Sequence, residues 1–216
     1  MKLTRLVLGS VLLFSAQSVM ADAFGLANGR SANMDNMAGM SVEGGYTIGD
    51  SSTLGARFNF KVSPDLMVFG DVGQTTLKDG SFKVDGNSFG AGVIYQLRTV
   101  NLIENSDLAV KLSYHTLGIE ESGCETFGNQ TFCDTAAGDV TELAIDAIIS
   151  GDQLSTTSFG WYATLGMHMF DGDGGDENEL ALGGGVVGDL AFGQWYAGID
   201  LIDELLIRGG IRYNLQ

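Results

Sequence analysis

Leu205-Leu206-Ile207-Arg208-Gly209-Gly210-Ile211-Arg212-Tyr213-Asn214-Leu215 alternates with a period of two. Leu205, Ile207, Ile211, Tyr213 and Leu215 share one face, with Gly209 among them. Arg208, Gly210, Arg212 and Asn214 share the other. Successive side chains of a strand point to opposite faces, so this stretch reads as a strand with one apolar wall and one wall of cations and glycine.

The pattern repeats upstream. Leu54, Ala56, Phe58, Phe60 and Val62 oppose Gly55, Arg57, Asn59 and Lys61. Phe89, Ala91, Val93, Tyr95 and Leu97 oppose Gly90, Gly92, Ile94 and Gln96. Leu108, Val110, Leu112 and Tyr114 oppose Lys111, Ser113 and His115. Ten such runs are predicted: 39–48, 53–62, 66–76, 88–97, 107–118, 140–149, 158–170, 179–188, 194–202 and 205–215. Eight strands stay open, because the last two runs can be merged differently. A run of about 9–11 residues suits a tilted membrane-spanning strand. Ser63-Pro64-Asp65 reads as a tight turn. Lys78–Asn87, Glu120–Asp139 and Asp171–Asn178 read as longer polar loops, so short turns are expected on one rim and long loops on the other.

Composition limits the alternatives. The 216 residues fit one domain, at most two. At 44% hydrophobic the chain is not disordered. It has one Pro and 32 Gly, the latter about twice the usual share. The 27 acidic and 11 basic residues give a net charge of −16, which argues against a nucleic-acid partner.

Residues 1–21 read as a secretory signal peptide. Lys2 and Arg5 precede an apolar Leu6–Phe14 that is too short for a membrane helix, and cleavage is expected after Ala21. Export leaves 11 − 2 = 9 basic residues against 27 acidic, a charge of −18. No Cys follows the cleavage site, which argues against a lipid anchor. In an oxidising compartment Cys124 and Cys133 are expected to form a disulfide closing a loop. Residues 22–38 form a short N-terminal lead, and 39–216 the barrel domain. Met34, Met37 and Met40, spaced by three, mark either one helical turn entering the barrel mouth or a flexible periplasmic lead, and the lead is the preferred reading.

A soluble barrel turns its apolar face inward, whereas a membrane barrel turns it out. Here the charged face also carries Gly55, Gly90, Gly92 and Gly210, which suit a narrow interior. The large residues sit on the other face, and Trp161 and Trp195 stand where an interfacial aromatic girdle belongs. The expected fold is therefore all-β, an antiparallel up-and-down transmembrane β-barrel. A soluble periplasmic barrel holding an apolar ligand would require the large side chains to point inward.

Over residues 39–216 the architecture resembles the small outer-membrane β-barrels of Gram-negative bacteria, the OmpA/OmpX kind. Members often end in an aromatic residue preceded by alternate apolar ones, a signal read by the barrel-assembly machinery. Ile207, Ile211, Tyr213 and Leu215 are similar to that pattern, with Leu215 in the aromatic place and Gln216 as an extra residue. The resemblance implies a monomer in the bacterial outer membrane, surrounded by lipid and lipopolysaccharide.

The inward set holds Glu43, Arg57, Lys61, Asp71, Lys111, His115, Glu142, Asp146, His168, Asp200, Arg208 and Arg212. Buried charges need partners, so a salt-bridged plug is expected, with a narrow charge-lined channel as the alternative. Glu43 with Arg57, and Arg208 and Arg212 with Glu43 and Asp200, are candidate pairs. His115 or His168 beside Glu142 or Asp146 is the start of a hydrolase site, but no Ser stands at motif spacing. A lipid-active enzyme is the third reading, and no enzyme and no cofactor is the expectation. Asp171, Asp173 and Asp176 form a weak Ca²⁺ candidate that departs from the EF-hand order. The expected role is structural or interactive, through acidic loops.

Overall fold

A computed structural model describes residues 31–35, 37–49, 51–79, 82–100, 103–127, 130–151, 159–172, 175–202 and 204–215. The signal peptide expected over 1–21 lies outside them. The strands are β1 (Met40–Ile48), β2 (Ser51–Ser63), β3 (Leu66–Asp79), β4 (Phe82–Gln96), β5 (Asp107–Phe127), β6 (Gln130–Gly151), β7 (Phe159–Gly172), β8 (Glu177–Leu190), β9 (Gly193–Ile202) and β10 (Glu204–Leu215). Each pairs antiparallel with its sequence neighbours, and β1 closes the ring on β10. The fold is a closed ten-stranded antiparallel up-and-down barrel. The two C-terminal runs are separate strands, since Glu204 already faces Ile202 across a hairpin.

The wall is inside out relative to a soluble protein. Leu54 and Leu180 are 62% and 63% exposed, while Arg57 and Lys111 are each 1% exposed. Along β1 exposure alternates residue by residue, as the period of two requires. Outward-facing large apolar side chains exclude the soluble ligand-holding barrel.

β1 starts and β10 ends on one rim, where Met40 faces Leu215. This terminal rim also holds the connections 64–65, 97–106 and 191–192. Aromatic side chains gather here. Phe159 meets Trp195 edge-on at 5.5 Å, and Phe192 stacks on Tyr213 at 5.8 Å. Trp161 and Trp195 lie opposite Gly151 and Gly188, whose missing Cβ atoms leave room for the indoles. The girdle expected from sequence is therefore formed with glycine seats beneath it.

The loop expectation needs correction. The stretches 78–87 and 120–139 are largely strand, carried by extension of the ladders, while in 171–178 β7 ends at Gly172 and β8 starts at Glu177. β5 and β6 are paired as far as Phe127 with Gln130. Their outer neighbours stop earlier, at Asp85 with Glu120 and at Val140 with Gly172. A two-stranded hairpin thus rises beyond the far rim. Polar residues signalled loop there, but a hairpin in water satisfies its backbone groups while exposing polar side chains on both faces. Cys124 and Cys133 are directly opposed in this hairpin, a ladder pair and not the ends of an open loop. The ten-residue connection 97–106, by contrast, lies on the terminal rim.

Candidate functional site

The site is the lumen. One row of directly opposed residues crosses six strand pairings: Arg212, Glu43, Arg57, Asp71, Gly90, His115 and Glu142. The period of two points them all inward, and antiparallel register sets them level. Gly90 is the gap that makes the row work. A Cβ at Gly90 would overlap the His115 ring and the Asp71 carboxylate. Gly166 and Gly183 likewise leave room for the Asp146 and Asp200 carboxylates.

The charges form one extended network and two further pairs. Arg57 Nε donates to Asp71 Oδ2 at 2.7 Å, and the guanidinium lies over Phe69, 4.1 Å from the ring centre. Asp71 Oδ1 is 3.3 Å from His115 Nε2. His115 Nδ1 is 3.3 Å from Glu142 Oε2, and Glu142 Oε1 is 2.5 Å from His168 Nδ1. His168 Nε2 is 3.1 Å from Asp146 Oδ1, and Lys111 Nζ is 2.9 Å from Asp146 Oδ2. Arg212 Nε donates to Glu43 Oε1 at 2.5 Å, and its Nη1 donates to Gln194 Oε1 at 3.0 Å. Arg208 Nε is 2.8 Å from Asp200 Oδ2. Glu43 and Arg57 stand opposite each other in register.

This geometry brings together Glu43, Arg57, Lys111, His115, Glu142, Asp146, His168, Asp200, Arg208 and Arg212 as buried lumen residues. The network runs around the wall from β2 to β7 and not along the barrel axis. Each histidine has a carboxylate oxygen within 3.3 Å of both ring nitrogens. Both rings are essentially unexposed, at 1% and 0%.

Sequence reasoning missed an apolar cluster nearer the terminal rim. Met67, Phe69, Ile94, Ala109 and Ile148 point inward and cluster around Ala32 and Met34. The signal was parity: Met67 and Phe69 fall in step with Asp71, Ala109 with Lys111 and Ile148 with Asp146, and Ile94 is an apolar residue on the otherwise polar face of its run. The lead expected to be flexible sits in the barrel mouth: Ala32 and Met34 are both 0% exposed. The methionine spacing does mark one turn, closed by Met37 N–H donating to the Met34 carbonyl at 3.2 Å. At the rim Arg98 donates to both Asp35 carboxylate oxygens, at 2.9 and 2.8 Å, and pairs with Asp65. The hydrogen bond from Arg98 holds the Asp35 carboxyl below its ordinary 3.8, and the same contact raises Arg98.

Other candidates lie elsewhere. Asp171 and Asp176 are exposed at the far rim, and Asp173 lies outside the described residues. Among the described residues no three His, Cys, Asp or Glu side chains are grouped to hold a metal ion. Ile211 and Tyr213 face outward on β10, about half exposed, and Leu215 ends that strand. The side chains of Cys124 and Cys133 lie outside the described set.

No protein-family model matches the chain, and no curated protein matches it. Its fold is similar to several solved barrels. The translocator domain of the autotransporter NalP from Neisseria meningitidis aligns over 97% of this chain and 98% of its own, at 12% identity and a TM-score of 0.49. The N-terminal β-barrel domain of Pseudomonas aeruginosa OprF aligns over 82% and 98%, at 12% identity and a TM-score of 0.37. Ail, the attachment invasion locus protein of Yersinia pestis, aligns over 82% and 100%, at 13% identity and a TM-score of 0.34. The barrel assignment rests on the closed ladder itself.

Proposed function

We propose that the chain is an integral outer-membrane barrel with a closed lumen and a structural or surface-contact role. The observation that supports this is the buried charge network, read as a diaphragm: paired charges line the interior while the apolar residues face out. Lipid solvates the wall, and the closed ladder satisfies the backbone within it. The chain acts as a monomer, exported by a signal peptide cleaved after Ala21. The assembly machinery reads Ile211, Tyr213 and Leu215. It is not an enzyme and needs no cofactor.

Surface contact falls to the far rim. Between Lys111 and Arg208 the chain has no Lys or Arg, so the rising hairpin and the β7–β8 turn carry only acidic charge. Such a rim favours cationic partners, including divalent ions bridging to lipopolysaccharide. A Cys124–Cys133 disulfide fixes the hairpin. Directly opposed residues in an antiparallel pair have Cα atoms about 4.5–5.5 Å apart. That separation falls within the disulfide range of about 4.4–6.8 Å.

The test is conductance across a planar bilayer, using protein refolded in detergent and checked for heat-modifiable gel migration. A folded barrel without discrete steps is expected. Steady single-channel steps from the native chain would overturn the closed-lumen reading. Folding in plain buffer but not in detergent would overturn the membrane reading.

A further inference from the structure

The lead is seated in the barrel without being part of it. Strand pairing begins at Met40, so residues before it belong to no ladder. Even so, the Ala32 and Met34 side chains fill the apolar floor, and their backbone amides are caught by the barrel. Ala32 N–H donates to Ser150 Oγ at 2.6 Å, and Met34 N–H donates to Gln96 Oε1 at 2.9 Å. Lys61 Nζ donates to the Met34 carbonyl at 2.5 Å.

The seat is prepared by the barrel. Ser150 and Gln96 are both buried. Gln96 Nε2 donates to Asp107 Oδ1 at 3.0 Å, which fixes the amide so that Oε1 faces the lead. Seat and occupant meet through backbone groups, the apolar side chains of Ala32, Met34 and Met37, and a hydroxyl contact of 3.4 Å between Ser31 and Ser150. The charged contact is outermost. The side chains of Arg98 and Asp35 are 41% and 56% exposed, and Arg98 also reaches Asp65 and the Pro64 carbonyl of the neighbouring turn.

We propose that residues 31–35, with Met37, are a latched cork. They close the terminal mouth from within, Arg98 is the latch, and the segment leaves as a unit without unpairing any strand. Release would uncover Ser150, Gln96 and the apolar floor. The docked state is therefore favoured in water, and opening is rare but local. An exposed ion pair is weakened by salt, so the latch is the part that conditions can loosen. This inference stands on the lead's own contacts and is independent of whether the lumen conducts.

The test is amide hydrogen exchange on the full chain in detergent micelles, read at Ala32 and Met34 and along β1. In the native chain both lead amides should be protected, yet exchange faster than the β1 amides. Arg98→Ala should speed the two lead amides by about threefold or more and leave β1 unchanged. Arg98→Lys should fall between them. If Arg98→Ala does not fold, raising the salt concentration on the native chain should speed the same two amides selectively. Unprotected lead amides in the native chain would overturn the cork. So would lead and β1 amides that accelerate together, or lead amides indifferent to both Arg98 and salt.

Discussion

Replacing Glu142 by Gln removes one charge from the middle of the diaphragm and keeps the side chain's shape. Glu142 is 0% exposed and joins two imidazoles, at 2.5 Å to His168 and 3.3 Å to His115. Water cannot replace what is lost at a site this closed. Breaking a buried charged contact by removing one partner costs about 3–5 kcal/mol, because the other partner stays buried without its counter-charge. Two partners lose it here, so the upper half of that range is expected. The assay is urea unfolding of the refolded barrel in detergent, followed by tryptophan fluorescence and by gel migration of unheated samples. Glu177→Gln is the control. Glu177 is exposed, and its loss should cost within about 0.5 kcal/mol. The coupling can also be read. Glu142→Gln and His168→Gln act on one contact, so the double variant should lose less than the sum of the singles, by about 0.5–3 kcal/mol. If Glu142→Gln costs no more than Glu177→Gln, the network does not hold the lumen shut and the reasoning fails.

Other outcomes follow from the same coordinates. Gly90→Ala should destabilise the barrel by about 1–3 kcal/mol in that unfolding assay, since its Cβ overlaps His115 and Asp71. Gly44→Ala, with nothing within 4 Å of its Cβ, should be close to neutral, and equal effects would refute the glycine gap. Leu165→Arg places a cation on the outward wall and should cost about 2–4 kcal/mol for barrel inserted in lipid vesicles. No loss there would count against lipid facing that wall. Cys124 and Cys133 should resist alkylation until reductant is added, as mass spectrometry would show; labelling without reductant removes the disulfide. The Asp35 carboxyl is depressed, so its contact with Arg98 is present above its ordinary 3.8 and is lost only as pH falls through the lower folded value. The Asp35 carboxyl titration followed by NMR should therefore move upward in Arg98→Ala, and an unmoved midpoint would deny the contact.

The period of two was sufficient for the architecture. It placed Arg57, Lys111, Glu142 and Arg208 on one face and Phe58, Leu112 and Ile207 on the other, because side-chain direction in a strand depends on parity alone. The count of ten strands and the membership of the lumen set were legible for the same reason. Strand ends were not, since polar residues in a water-exposed hairpin look like loop residues, and β5 and β6 ran through a stretch read as one.

Partner choice inside the lumen was decided by the tertiary structure. Parity says that His115 and Asp71 point inward; only closure and register put them on either side of Gly90 and let them meet across a strand. The floor and the seated lead were hidden for a related reason. Ala32 carries no pattern and Met34 only the methionine spacing, and what buries them comes from β3, β4, β5 and β6. Those residues lie far apart in the chain and become neighbours only when the sheet closes into a ring. Sequence determined which way each side chain faces, because that is a local property of the backbone. The ring determined what each side chain faces, because that depends on strands brought level by pairing.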